Sequence, residues 1–241
     1  MMIDRQLKPS YAMTVPSTKQ KIRFRPFVVR EEKVLLMAQE SGKDDELLQA
    51  MRDTVAACIS PPDAVDIMNS PKFDVEFLFL NIRAKSVKEI ANPAIQCKEC
   101  QEPVTVTAEL EKAVVVFPDA SKDRTIRVDD RTAVVFRYPG VGDLANIKGK
   151  ADFDGMLTMM AGCVESITVG DKVSLKKDVT QEEVKDFFEG MTSPEFSKLV
   201  GFFTEQPYVC LNVQVDCPKC KASYSVEVRD SNSFFRSASR T

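Results

Sequence analysis

Two cysteine pairs constrain this chain more than any other feature. Cys97-Lys98-Glu99-Cys100 and Cys217-Pro218-Lys219-Cys220 share one spacing and lie 120 residues apart. Alternating stretches follow both: Val104, Val106, Ala108 and Leu110 after the first, Tyr224, Val226 and Val228 after the second. A two-residue spacer lets both thiolates of a pair face one ion at Zn–S ~2.3 Å, so two pairs complete a closed tetrahedral site. Four thiolates leave no open coordination position, and a zinc ion held this way is structural, not catalytic. The other readings are unliganded thiol pairs or one redox pair of the thioredoxin kind. The redox reading needs a CxxC that opens a helix, whereas strands are expected after both pairs here.

The interval from Cys100 to Cys217 far exceeds that of a compact zinc ribbon. It suits a duplicated unit in which each copy donates one pair across a pseudo-twofold. Other features recur in the same order. Phe136-Arg137-Tyr138-Pro139 echoes Phe24-Arg25-Pro26, and Ser193-Pro194-Glu195-Phe196 echoes Ser70-Pro71-Lys72-Phe73 at an offset of 123. Phe153, Met156, Met160 and Cys163 lie 105 residues after Leu48, Met51, Val55 and Cys58. One insertion, Ile167–Val184, accounts for the change of offset; it reads as a hairpin around Gly170-Asp171 leading into a helix near Thr180. Recurrence of strand-helix-helix order by chance is the plainer alternative, but the matched cysteine phase favours divergent duplication.

The expected fold class is therefore α+β: two related strand-helix-helix-knuckle-strand halves joined at a shared four-cysteine, zinc-ribbon-like site. The boundaries are an extended N-terminal arm at 1–19, a first repeat at 20–112, a second at 124–229 and a tail at 230–241. Ser70 and Pro71 suggest an N-cap and first helical position. Phe73, Phe77 and Leu80 form one stripe of that helix, and Phe196, Val200 and Phe203 one of the later helix. Pro118–Lys122 reads as a linker.

The chain contains no His and no Trp. That removes Ser-His and Cys-His nucleophile pairs, histidine metal ligands and the histidine pH switch. A net charge of −3 without a long Lys/Arg run argues against a dedicated nucleic-acid binder such as a zinc-ribbon DNA or RNA protein. Seven cysteines, an odd number, do not resemble a secreted disulfide framework. Met1–Ser17 has no apolar signal-peptide core, and no apolar run approaches the ~20 residues of a membrane span. Cys58 and Cys163 read as small core residues on helix stripes. Cys210 falls opposite the apolar face of its strand, with Asn212 and Gln214. Arg83–Lys88 reads as a solvated basic helix end, Asp129-Asp130 as a turn, and Glu182-Glu183 as a helix first turn. Phe234 and Phe235, in a polar tail, are candidate partner-binding residues.

Three stretches carry a family resemblance: Lys21–Phe27, Arg30–Leu36 and Phe73–Val87, of which Phe77–Val87 is the most specific. They resemble the base plate hub family of T-even-like, contractile-tailed bacteriophages. The resemblance covers about residues 20–112 and, more loosely, the Cys217–Cys220 knuckle. It implies a non-enzymatic structural or assembly component of the tail base plate hub, partnered by other base plate or hub proteins. The expected location is the virion tail, after assembly in the host cytoplasm. A transient assembly chaperone left out of the virion is the alternative within that family.

Overall fold

Alternation in Lys21-Ile22-Arg23-Phe24 produces a strand with Ile22 and Phe24 buried and Lys21 and Arg23 exposed. The computed structural model describes residues 9–87, 90–140, 142–143 and 152–229. By contacts these fall into two units, one drawn from 1–67, 73–116 and 208–241, the other from 68–72 and 117–207. The strand and knuckle at the end of the stretch expected as a second repeat thus belong to the unit that also holds most of residues 20–112.

In the first unit, β2 (Lys21–Phe24) lies between β1 (Tyr11–Thr14) and β3 (Ile59–Ser60), all antiparallel. The stretch read as an arm is thus part of the sheet from Tyr11 onward. Val15 is fully buried, and Ser17 donates its backbone N–H to Asp74 at 3.0 Å and its hydroxyl to the other carboxylate oxygen. Backbone pairing and these two bonds offset the ordering entropy that a polar segment could not offset alone. Helices α1 (Val29–Ser41) and α2 (Asp44–Cys58) follow, separated by Gly42, whose φ of 70° only glycine adopts without strain. Leu47, Met51, Val55 and Cys58 of α2 are buried, as their spacing requires. Helix α3 (Lys72–Ser86) is apolar on nearly every side and correspondingly enclosed, with Phe73, Val75, Leu78, Phe79, Leu80 and Ile82 buried. Arg83 is buried too, against the expectation of a solvated basic end. Two short ladders, β4 (Ile90–Ala91) with β7 (Ala108–Glu109) and β5 (Ala94–Gln96) with β6 (Pro103–Thr105), lead to β8 (Val114–Val116). Strand β8 pairs with β13 (Tyr208–Asp216), which pairs with β14 (Ser223–Val228).

The second unit is a four-stranded antiparallel sheet in the order β12-β11-β10-β9, from Lys172–Leu175, Val164–Val169, Thr132–Phe136 and Thr125–Arg127. The expected hairpin is present, turning at Gly170 and Asp171 between β11 and β12. The supposed linker is instead a short helix, α4 (Asp119–Lys122), fixed by the Tyr138 hydroxyl donating to the Ser121 carbonyl at 2.8 Å. Helix α5 (Phe153–Gly162) is capped by Asp152, which accepts from Gly155 N–H at 2.9 Å. Its Met160 and the following Cys163 are buried, whereas Phe153, expected on the same stripe, is 62% exposed. Thr180 with Glu183, and Thr192 with Glu195, form the capping boxes of α6 (Gln181–Glu189) and α7 (Ser193–Thr204).

The two Ser-Pro starts differ from expectation. In α7 the cap is Thr192 and Ser193 is already helical, while α3 begins at Lys72 because Pro71 is engaged in an isolated antiparallel bridge with Gly140. A Cβ at Gly140 would meet the Asn69 carbonyl oxygen at 2.7 Å, so the close approach requires glycine. The buried line of α7 is Leu199 and Phe202, with Phe196, Val200 and Phe203 half-buried beside it. Phe136 centres an aromatic cluster, stacked on Phe202 at 5.4 Å and edge-on to Phe203 at 5.0 Å.

One contact set occurs twice. Arg25 donates its backbone N–H to the Cys58 carbonyl at 2.9 Å, and its guanidinium to the Pro26 and Ala57 carbonyls and to Glu31. Glu31 also accepts the Val28 N–H at 2.7 Å. Arg137 donates its backbone N–H to the Cys163 carbonyl at 2.8 Å, and its guanidinium to the Tyr138 and Gly162 carbonyls and to Asp143. Asp143 accepts the Gly140 N–H at 2.7 Å. In each case a guanidinium binds a carbonyl at the end of a helix, where carbonyls lack intrahelical partners and cations are favoured. Burial acts to raise the Glu31 and Asp143 carboxyls, but the bonds from arginine and backbone outweigh it and hold both below the usual range.

Candidate metal centre

Each cysteine pair sits at the tip of a hairpin. Gln96 pairs with Pro103 below the first tip, and Asp216 with Ser223 below the second. Cys97 N–H donates to the Glu102 carbonyl at 2.9 Å, and Gln101 N–H returns to the Cys97 carbonyl at 2.9 Å. The second tip repeats this: Cys217 N–H to Ala222 at 2.9 Å, and Lys221 N–H to Cys217 at 3.0 Å. Gln101 (φ 60°) and Lys221 (φ 63°) both adopt the left-handed conformation that closes the turn. The local geometry is the same turn built twice.

The two tips meet. Sγ of Cys97 lies 3.7 Å from Cys220, Sγ of Cys100 lies 3.6 Å from Cys217, and all four sulfurs fall within 4.8 Å of one another. A tetrahedron with Zn–S ~2.3 Å has S–S edges of ~3.8 Å, so the spacing suits one ion. Cys97 and Cys217 are buried, Cys100 is half-buried and Cys220 exposed. Around them, Lys98 N–H donates to the Tyr224 hydroxyl at 2.8 Å, and Lys219 pairs with Glu102 at 2.7 Å. Both contacts join one knuckle to the other. Sequence reasoning missed these four outer residues; only Lys98 and Lys219, inside the motifs, stood where a signal could be read.

Backbone amides bias the cluster electrostatically. The Cys100 and Glu99 amides aimed at Cys97 outweigh its burial and hold its thiol down at about 6. The Cys220 and Lys219 amides likewise lower Cys217. The Ala222 amide acts to lower Cys220, but the crowding of the neighbouring thiols, with partial desolvation of this exposed side chain, pushes it up to about 12. Four thiolates so close together repel one another, and a divalent cation removes that conflict because a coordinating thiol is deprotonated outright. The donor set is thus soft, and its spacing suits tetrahedral coordination of one metal ion.

The comparisons with known proteins agree with the reading of the first half and extend it. A family model described as T4 bacteriophage base plate protein matches residues 8–236. The chain belongs to that family. The base plate match runs through the middle of the chain, where the resemblance noted in the sequence was thinnest, and includes both knuckles. No curated protein and no solved structure gives a match.

The remaining residues singled out in the sequence of this base plate protein lie outside the cluster. Cys58 and Cys163 are buried, and burial pushes the Cys163 thiol up to about 12. Cys210 is buried as well, unlike Asn212 and Gln214, in the segment of β13 that pairs with β8 through Val114. Phe234 and Phe235 lie outside the described residues. Among those described, no helix is long and apolar enough to cross a membrane.

Proposed function

We propose that this chain is a non-enzymatic component of the phage tail base plate hub, stapled by one structural zinc ion on Cys97, Cys100, Cys217 and Cys220. The observation that carries the zinc reading is the convergence of two identically built knuckles, 120 residues apart in sequence, with all four sulfurs within 4.8 Å. When bound, the ion supplies a cross-link between distant segments of chain. The thiols hold it and the turn amides set their charge. No group in the cluster is left to bind a substrate.

The hub role rests on the family, narrowed by the resemblance of Lys21–Phe27, Arg30–Leu36 and Phe73–Val87. The paired arginine contacts and paired knuckles support descent of residues 20–112 and 124–229 from one duplicated unit, with Ile167–Val184 as a later insertion. Partners on this reading are other base plate or hub proteins, met in the virion tail after assembly in the host cytoplasm.

Quantitative mass spectrometry of purified particles tests the role. The proposal expects this chain at a fixed number of copies per tail, co-purifying with base plates after tail dissociation. Its presence in infected cells but absence from purified virions would replace this reading with that of a transient chaperone.

A further inference from the structure

Of the cysteines, Cys220 alone is exposed and Cys100 alone is half-buried, while Cys58, Cys97, Cys163, Cys210 and Cys217 are buried. Both accessible thiols thus lie in the cluster, and each meets a buried thiol of the opposite knuckle. Cys220 Sγ lies 3.7 Å from Cys97 Sγ, and Cys100 Sγ lies 3.6 Å from Cys217 Sγ. These two contacts share no atom, so both can be bonded at once. A disulfide requires S–S ~2.05 Å, a distance that side-chain movement alone reaches from here.

The tips are also held together without the sulfurs. Each turn is closed by its own backbone bonds, and Lys98 N–H with Tyr224 and Lys219 with Glu102 join one tip to the other. A bond within one knuckle would close only its own turn. A bond from Cys97 to Cys220 joins positions 123 residues apart, which fold to 3.7 Å but seldom meet in the unfolded chain. The folded chain therefore presents Cys97 to Cys220 at a high effective concentration, and the link in turn restricts the unfolded state.

We infer that the cluster is a site of thiol–disulfide exchange, at which Cys220 takes the first bond from glutathione disulfide and Cys97 converts it to a cross-knuckle disulfide. Bound to the proposed ion, Cys220 is a thiolate. Its Sγ attacks one sulfur of glutathione disulfide, whose S–S bond breaks and releases one glutathione thiolate. Cys97 Sγ then attacks Cys220 Sγ, the mixed disulfide breaks, and a second glutathione thiolate leaves. The two cysteines have lost two electrons, and the glutathione disulfide has gained them. Cys100 and Cys217 repeat the exchange, with the half-buried Cys100 accepting first. The ion, left without ligands, is released, and the staple between the tips becomes covalent. The inference rests on the zinc-stapled base plate reading for its setting: assembly in a reducing cytoplasm loads the metal, and passage outside the cell brings oxidising conditions.

The full chain, purified under reducing conditions and freed of reductant, is assayed for zinc and then titrated with glutathione disulfide. Zinc release is followed with a chromogenic chelator, and quenched samples are digested without reduction for mass spectrometry. Glutathione is expected first on Cys220, followed by Cys97–Cys220 as the main bond, with loss of the zinc as that bond accumulates. The doubly bonded, metal-free chain is expected to keep its cooperative unfolding transition. Bonds formed instead within the knuckles, Cys97–Cys100 and Cys217–Cys220, overturn the inference, as does unfolding with no cross-knuckle bond. A zinc-loaded chain that excess glutathione disulfide leaves unchanged overturns the exchange but not the zinc reading. A chain that holds no zinc and still forms Cys97–Cys220 does the reverse, because the sulfur contacts belong to the chain itself.

Discussion

Asp74 is a fully buried carboxylate on α3, and burial pushes it up to about 6 despite the two bonds from Ser17 and the nearby Lys19. Its folded value lies above the ordinary 3.8, so the folded state binds the proton more tightly than the unfolded chain. The resulting stabilisation is complete below about pH 4 and lost as pH rises through about 6. Asp74→Asn removes this dependence. The stability of the variant relative to the parent should therefore rise, on the order of 1 kcal/mol, between pH 5 and pH 8. Urea unfolding of both proteins at the two pH values measures this, and a difference that stays constant with pH contradicts it. Residues of this kind were barely legible in the sequence. Phe24-Arg25 and Phe136-Arg137 could be matched by identity, but their carboxylate partners, six positions further on, differ as Glu31 and Asp143. Their role appears only when the chain folds back onto a helix end.

At the scale of elements, alternation and helical spacing located most strands and helices, because burial on one face imposes a period. The failures have local causes. Pro71 does not open α3 because a backbone bridge to Gly140 claims it, and residues from Tyr11 join a sheet because a neighbouring strand offers pairing that local composition cannot reveal. The knuckle turns carry a second lesson: neither Gln101 nor Lys221 announces a left-handed conformation, yet the twin hydrogen bonds demand it. Both side chains are exposed, so little packing is lost on replacement. Lys221→Gly and Gln101→Gly should each stabilise the protein by up to about 1 kcal/mol, and Lys221→Val should cost about 1–2 kcal/mol. Shifts of the urea midpoint at constant slope provide the measurement. Valine tolerated as well as glycine would show that the turn relaxes elsewhere.

For the whole molecule, sequence offsets revealed paired features but not how contacts would divide them. The second knuckle lies at the end of the stretch proposed as a second repeat, yet β13 and β14 belong to the unit that also holds the first knuckle. Long-range pairing of β8 with β13 determines this, and no local period encodes a partner about 90 residues away. The cysteine spacing did anticipate the meeting of the four thiols, because ligand geometry is fixed by chemistry independently of the intervening chain. Metal analysis of the full chain, purified under reducing conditions without added metal, tests the proposed zinc centre most directly. One zinc per chain is expected, lost together with folded structure in Cys97→Ser and Cys217→Ser, since structural zinc binding contributes roughly 10–16 kcal/mol in small peptides. Well-folded, reduced protein containing no zinc would contradict it.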